Sequence, residues 1–170
     1  YKKVINNKMY GNIGCYLSHL NLWKKIKNDN IEFALIIEDD VEFCKDFKNE
    51  LINSLKDIPN EWDIIFLGLT RPCGKGINNK VFSVIEKKCE KDNGGLFAYI
   101  VNGKNINKMI DFCDVKINKM IDHKIRDNYL NMDIFFVHPF IINHNYGFES
   151  DRNGTKYSHN YIKKANTLIE

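Results

Sequence analysis

Three carboxylates in a row, Glu38-Asp39-Asp40, follow directly on the apolar run Phe33 to Ile37. Like charges this close repel, and a cation placed among them relieves the repulsion. Oxygen donors of this kind suit Mg²⁺ or Mn²⁺, ions that commonly share their coordination with substrate phosphates. If extended backbone continues through the triplet, Glu38 and Asp40 fall on one face and Asp39 on the other. An acid-x-acid pair at a strand end is then arranged to meet a metal-bound diphosphate. On this reading Asp40 is the direct metal ligand, and Glu38 and Asp39 reach a ribose or a metal-bound water. The same residues also fit a solvated acidic strand end in which Asp40 caps the next helix.

Elements that would position the triplet are legible on both sides of it. Ile13, Tyr16, Leu17, Leu20, Trp23 and Ile26 recur at helical spacing, which predicts an amphipathic helix over 11–28. Residues 32–38 predict a buried, parallel strand. A second helix is expected over 46–57, with Phe47, Leu51, Ile52 and Leu55 inward and Pro59 as its stop. Asp63 to Gly68, Val81 to Ile85, Phe97 to Val101 and Asp133 to Val137 predict further strands. Residues 70–80, with Pro72, Gly74 and Gly76, predict a loop. Asn102 is placed to cap a helix carrying Ile106, Met109, Ile110 and Cys113, and 117–130 are expected to be helical. Beyond Ile142 the chain turns polar. Helices alternating with short apolar strands predict an α/β/α sandwich around a mostly parallel sheet. Such folds bind ligands at the carboxyl ends of their strands, where the triplet lies.

Composition narrows the class. At 170 residues, 44% hydrophobic and 28% charged, the chain suits one globular domain. A mild net charge of +3 with scattered lysines does not argue for a nucleic-acid partner. Apolar runs fall far short of the roughly 20 residues of a membrane span. No signal-peptide pattern opens the chain, and its first residue is Tyr1, so it is expected to be a piece of a longer protein. Neither a cytoplasmic nor a secretory location is favoured. Of the five cysteines, none stands in C-x-x-C spacing, which argues against a zinc knuckle. Cys15 and Cys113 fit apolar faces, whereas Cys73 and Cys89 flank a loop and are able to pair in an oxidising compartment.

Several segments, taken in order, resemble glycosyltransferase family 25. They are Gly11-Asn12-Ile13-Gly14-Cys15-Tyr16-Leu17-Ser18-His19, then Ala34-Leu35-Ile36-Ile37-Glu38-Asp39-Asp40-Val41, then Trp62-Asp63-Ile64-Ile65-Phe66-Leu67-Gly68, then Ala98-Tyr99-Ile100-Val101, and finally Glu149-Ser150-Asp151. They match the family's G-x-x-G-C-x-x-S-H, L-E-D-D-V, W-D-I-I-x-L-G, A-Y-x-I/V and E-S-D segments across about residues 9–152. The family's opening strand and basic loop have no counterpart here, so an N-terminal βα unit is expected to be missing. Met120-Ile121-Asp122 stands at the family's P-x-D position without the proline.

This resemblance implies a GT-A-like fold, Mn²⁺ or Mg²⁺, a UDP-hexose donor and inversion at the anomeric carbon. Inversion calls for a carboxylate to take the acceptor hydroxyl's proton. Asp122 is the leading base, with Asp151 and Glu149 as rival bases or acceptor-binding groups. His144 is a candidate further metal ligand beside Asp40 and Glu38. Glu38, Asp39, Gly68, Arg71 and Gly95 are expected at the nucleotide. Bland alternatives stand beside each: a helix-surface Asp122, a structural His19 or His138, a solvated Arg71, a plain turn at Gly94-Gly95. Asn153-Gly154-Thr155 is an N-glycosylation pattern relevant only in a secretory compartment.

The function expected of residues 1–170, as one catalytic domain, is transfer of galactose or glucose from a UDP-sugar to a glycan or to hydroxylysine of a collagen-like protein. A non-catalytic binding module of the same fold and, more remotely, a metal-dependent phosphohydrolase are the competing classes.

Overall fold

A computed structural model describes residues 7–84 and 93–145. The chain opens with a long helix, α1 (Asn7–Asn28). Tyr16, Leu20, Trp23 and Ile26 form its buried stripe, the faces that a 3.6-residue period brings together. Lys25 and Lys27 complement the dipole of its last turn. Asn30 then takes a left-handed turn at φ 53°, a conformation that Asn tolerates better than most residues.

A six-stranded sheet follows. Its strands are β1 (Phe33–Ile37), β3 (Ile64–Thr70), β4 (Lys75–Gly76), β5 (Val81–Ser83), β6 (Gly94–Asn102) and β7 (Ile134–Val137), in the spatial order β1-β6-β3-β7-β5-β4. Two short strands, β2 (Val41–Phe43) and β8 (Ile142–His144), form a separate antiparallel ribbon with Val41 opposite His144. The helices α2 (Phe47–Leu55), α3 (Asn107–Cys113) and α4 (Ile121–Asp127) complete the described elements together with 3₁₀ turns at Gly103–Asn105 and Tyr129–Asn131.

The α/β sandwich is as expected, with one correction to its sheet. Only β3 and β7 pair in parallel; the other neighbouring pairs are antiparallel. The reason is β6, which runs backwards between β1 and β3 and pairs with both. As a result β1, β3, β4 and β7 still point one way. The carboxyl ends of β1, β3 and β7 therefore share an edge with the start of β6. That edge carries the acidic triplet. A second correction concerns β1 itself, which is an edge strand rather than a buried parallel one. Ile36 is buried, but Phe33, Leu35 and Ile37 are 52%, 42% and 44% exposed.

Alternation along β3 sends Ile64 and Phe66 to one face and Ile65 and Leu67 to the other. The first face packs under α1, α3 and α4 through Tyr16, Trp23, Tyr99, Met109 and Ile125. The second packs under α2 and the β2–β8 ribbon through Phe97, Ile141 and Ile142, with Phe47, Leu51 and Val41 against it. Asp63, 2% exposed, ties the layers by accepting from Lys108 Nζ at 2.7 Å and from the Asp133 N–H at 2.9 Å.

Other boundaries shift. The expected helix over 117–130 shortens to α4 because Met120 is extended, at ψ 152°, so Asp122 falls in the first helical turn. Asn102 does cap, accepting from the Lys104 N–H at 3.2 Å, but the first turn it opens is 3₁₀. Cys73 is disulfide-bonded, and Cys15, Cys44 and Cys113 are free thiols. Cys89, the partner expected for Cys73, lies outside the described residues, as do Glu149, Ser150, Asp151 and the Asn153-Gly154-Thr155 pattern.

Candidate active site

The triplet occupies the gap between the two sheets. Glu38 ends the β1 ladder, its N–H donating to the Phe97 carbonyl at 2.8 Å. Asp40 starts the ribbon, its carbonyl accepting from the Asn145 N–H at 2.7 Å. Asp39 between them is exposed, whereas Glu38 and Asp40 are half-buried. Asp40 does not cap a helix, because β2 follows it and α2 begins only at Phe47.

Asp40 Oδ2 lies 3.0 Å from His144 Nε2. Its Oδ1 is buried and has no hydrogen-bond partner among the described residues. Burial pushes the Asp40 carboxyl above its ordinary value, with the charges of Glu38 and Asp39 adding to the rise and His144 opposing it. The raised value despite an imidazole within ion-pair range means that desolvation outweighs attraction at this carboxylate. The His144 ring itself is held edge-on against Phe97, with centroids 5.6 Å apart.

Gly68 lies under this corner. A Cβ there would sit 2.1 Å from the Ile142 carbonyl oxygen and 2.6 Å from the Phe97 ring. The absence of a side chain lets β8 close onto β3, which brings His144 to Asp40. Packing accounts for this glycine, with no ligand required.

Glu38 belongs to a second cluster. Its Oε1 lies 3.2 Å from His19 Nε2 and 3.9 Å from Cys15 Sγ, and one ligand-type atom from each of these three residues falls within 4.8 Å of the others. His19 Nδ1 is 2.7 Å from Tyr99 Oη, which also accepts from Trp23 Nε1 at 3.0 Å. Helical spacing already aligned Tyr16 and Trp23, but the meeting of Cys15, His19 and Tyr99 at Glu38 joins α1, β6 and β1. No local pattern carries that contact.

Farther along the same edge, Asp122 Oδ2 accepts from the Gly95 N–H at 3.1 Å and Oδ1 from the His123 N–H at 2.9 Å. Thr70 Oγ1 donates to the Gly94 carbonyl at 2.8 Å. A Cβ on Gly94 would meet Thr70 Oγ1 at 3.0 Å, Arg71 Nη2 at 3.7 Å and Asp122 Oδ2 at 3.7 Å. Thr70, Arg71 and Asp122 thus converge on the start of β6. Gly95 holds φ +85°, a region L side chains rarely adopt. Arg71, at φ 50°, is exposed. The structure therefore brings Asp40 to His144, turns Glu38 to His19 and Cys15, and gathers Arg71, Gly95 and Asp122 at another corner of the same edge.

Acids where a strand ends, facing a glycine pair where a reversed strand begins, form a GT-A-like α/β arrangement. The chain belongs to glycosyltransferase family 25. The model for "Glycosyltransferase family 25 (LPS biosynthesis protein)" matches residues 2–125, which include the triplet and Asp122 but not His144. Procollagen galactosyltransferase 2 of Mus musculus is 41% identical over 149 residues, covering 78% of this chain and 24% of that protein. Procollagen galactosyltransferase 2 of Homo sapiens is 26% identical over the same length and shares. Inactive glycosyltransferase 25 family member 3 of Homo sapiens is 36% identical over 61 residues, 34% of this chain and 10% of that protein. The chain thus spans about a quarter of the procollagen galactosyltransferases it matches. No helix among the described residues is long and apolar enough to cross a membrane.

Proposed function

We propose that this chain carries the donor side of an inverting hexosyltransferase, moving galactose or glucose from a UDP-sugar to a hydroxyl of a glycan or of a collagen-like protein. The observation that carries the reading is the half-buried Asp40 carboxylate, with one oxygen against His144 and the other buried and unpartnered among the described residues. A divalent cation fits that corner. It would complete the bonding of Oδ1 and offset the burial that presses the carboxyl toward neutrality. Asp40 and His144 would hold Mn²⁺ or Mg²⁺, whose chemistry is to neutralise charge gathering on a departing diphosphate.

The chain's own residues do the remainder. Glu38 and the exposed Asp39 present carboxylates to the ribose side of the donor. Arg71 offers a guanidinium on the edge where phosphates would lie. Asp122 is held by two backbone N–H groups, one to each oxygen, and each oxygen keeps a lone pair for the proton of an attacking hydroxyl. Glu149 and Asp151 are the candidate acceptor-binding groups.

UDP release from a panel of UDP-sugars, measured on the full-length protein with Mn²⁺ and a hydroxylysine peptide or glycan acceptor, tests the reading. Hexose transfer that disappears in Asp40→Asn supports it. Turnover unchanged by that substitution refutes the metal role.

One observation favours a second reading. The relative named as inactive aligns with this chain at 36% identity. A non-catalytic member would show no thermal stabilisation by UDP with or without Mn²⁺, whereas a competent site gains stability by linkage.

A further inference from the structure

We propose that His19 is a positioning residue held as the Nε2–H tautomer by Trp23 and Tyr99, so that it donates a fixed hydrogen bond to Glu38 and is closed to metal. The argument rests on which groups have protons to give. Trp23 Nε1 has a proton and no lone pair to accept with, so it donates to Tyr99 Oη. Tyr99 is 0% exposed, and among the described residues its Oη meets only Trp23 Nε1 and His19 Nδ1. Its hydroxyl proton therefore has one destination, the bare lone pair of His19 Nδ1 at 2.7 Å.

The alternatives strand a proton. If His19 carried hydrogen on Nδ1 instead, Tyr99 Oη would accept twice and its own proton would face no acceptor among the described residues. That costs the desolvation of a buried hydroxyl in a place water does not reach. Burial also holds the Tyr99 pKa well above its ordinary value, so the phenol keeps the proton it must donate. With Nδ1 accepting, the ring's hydrogen sits on Nε2 and points at Glu38 Oε1, 3.2 Å away.

Two consequences follow. The Cys15, His19 and Glu38 atoms have metal-like spacing, yet the imidazole brings a hydrogen where a cation would need a lone pair. The chain Trp23 to Tyr99 to His19 to Glu38 also runs in one direction, from the core under α1 to the site edge. It fixes the plane of the first acid of the triplet. That last role rests on the reading of Glu38 as a donor-binding group, whereas the proton direction does not.

The test uses the full-length protein labelled with ring-¹⁵N histidine. We expect a His19 signature of bare Nδ1 and protonated Nε2, unmoved by Zn²⁺ alone. Tyr99→Phe, which removes the hydroxyl proton, should release the lock and give a tautomer mixture. A protonated Nδ1 in the parent, or a His19 signal that moves on adding Zn²⁺, overturns the proposal. In kinetics, His19→Gln, whose amide N–H stands in for Nε2–H, should keep the donor KM within about threefold. His19→Leu should raise it about tenfold or more, the loss expected for one hydrogen bond to a charged group. Equal KM values in the two folded variants would overturn the positioning role. Absence of hexose transfer in the parent would instead count against the proposed function, and the ring signature would still decide the proton direction.

Discussion

Asp40 and His144, 104 residues apart in the sequence, meet at 3.0 Å because the ribbon pairs Val41 with His144 directly. The contact is made by backbone register, with the side chains following from it. A carboxylate is thereby lodged in a half-buried corner where desolvation raises its pKa even beside an imidazole.

Asp40→Asn should remove the stabilisation that UDP with Mn²⁺ gives the parent, while leaving the metal-free fold intact or firmer, since a poorly solvated charge is gone. Thermal denaturation with and without UDP and Mn²⁺ measures both. His144→Gln should cost much less when added to Asp40→Asn than it costs alone, since the two groups share one interaction. Additive losses in the double variant would show that they act separately.

Asp122→Asn should lower hexose transfer at least about a hundredfold, the scale of a lost general base. UDP affinity should stay near that of the parent, because an amide oxygen still accepts the Gly95 N–H. Initial rates and UDP titration of the same preparation check the split. Full turnover in the variant would remove Asp122 from the proton transfer and bring Asp151 and Glu149 forward.

Gly68→Ala should destabilise the protein by about 1 to 3 kcal/mol through overpacking, since its Cβ would fall 2.1 Å from the Ile142 carbonyl oxygen. Urea unfolding gives the magnitude. Because the methyl group pushes on β8, Mn²⁺-dependent UDP binding should weaken as well, although Gly68 touches no ligand in this account. A folded variant with normal affinity would show that β8 yields without moving His144.

His138 packs edge-on against Phe82 and Phe140, and burial lowers its pKa below the ordinary 6.5. The unfolded chain therefore takes up this proton at higher pH than the folded one. The contribution to stability is present above 6.5 and lost as pH falls through the lowered folded value. Melting temperatures across a pH series should decline on the acid side, and His138→Gln should flatten that decline. Parallel profiles in parent and variant would rule out His138 as the source.

How much of this was readable beforehand depends on whether a feature is local. The stripe Tyr16, Leu20, Trp23 and Ile26 identified α1, and the uninterrupted run from Ile64 to Leu67 identified a strand buried on both faces. An apolar run cannot say whether its strand is central or at an edge, so Phe33, Leu35 and Ile37 read as buried when they are exposed. The ribbon was illegible because three residues, Val41 to Phe43, carry no period, and their partner lies far along the chain. The triplet stood out through its charge. Its neighbours Cys15, His19 and Tyr99 reach Glu38 only through tertiary packing, and His144 came forward through family resemblance alone.

The seam between the two sheets has a consequence for how this site tolerates change. Glu38 is pinned by the Phe97 carbonyl and Asp40 by the Asn145 amide, so separate ladders act as the two jaws of a caliper on the acids. Inserting or deleting one residue in either ladder would slide one jaw by a strand step of about 3.3 Å. The opening between the carboxylates would be reset without any acid being replaced. Length variation in β1 or β8 is therefore as damaging a lesion, on this geometry, as loss of a carboxylate.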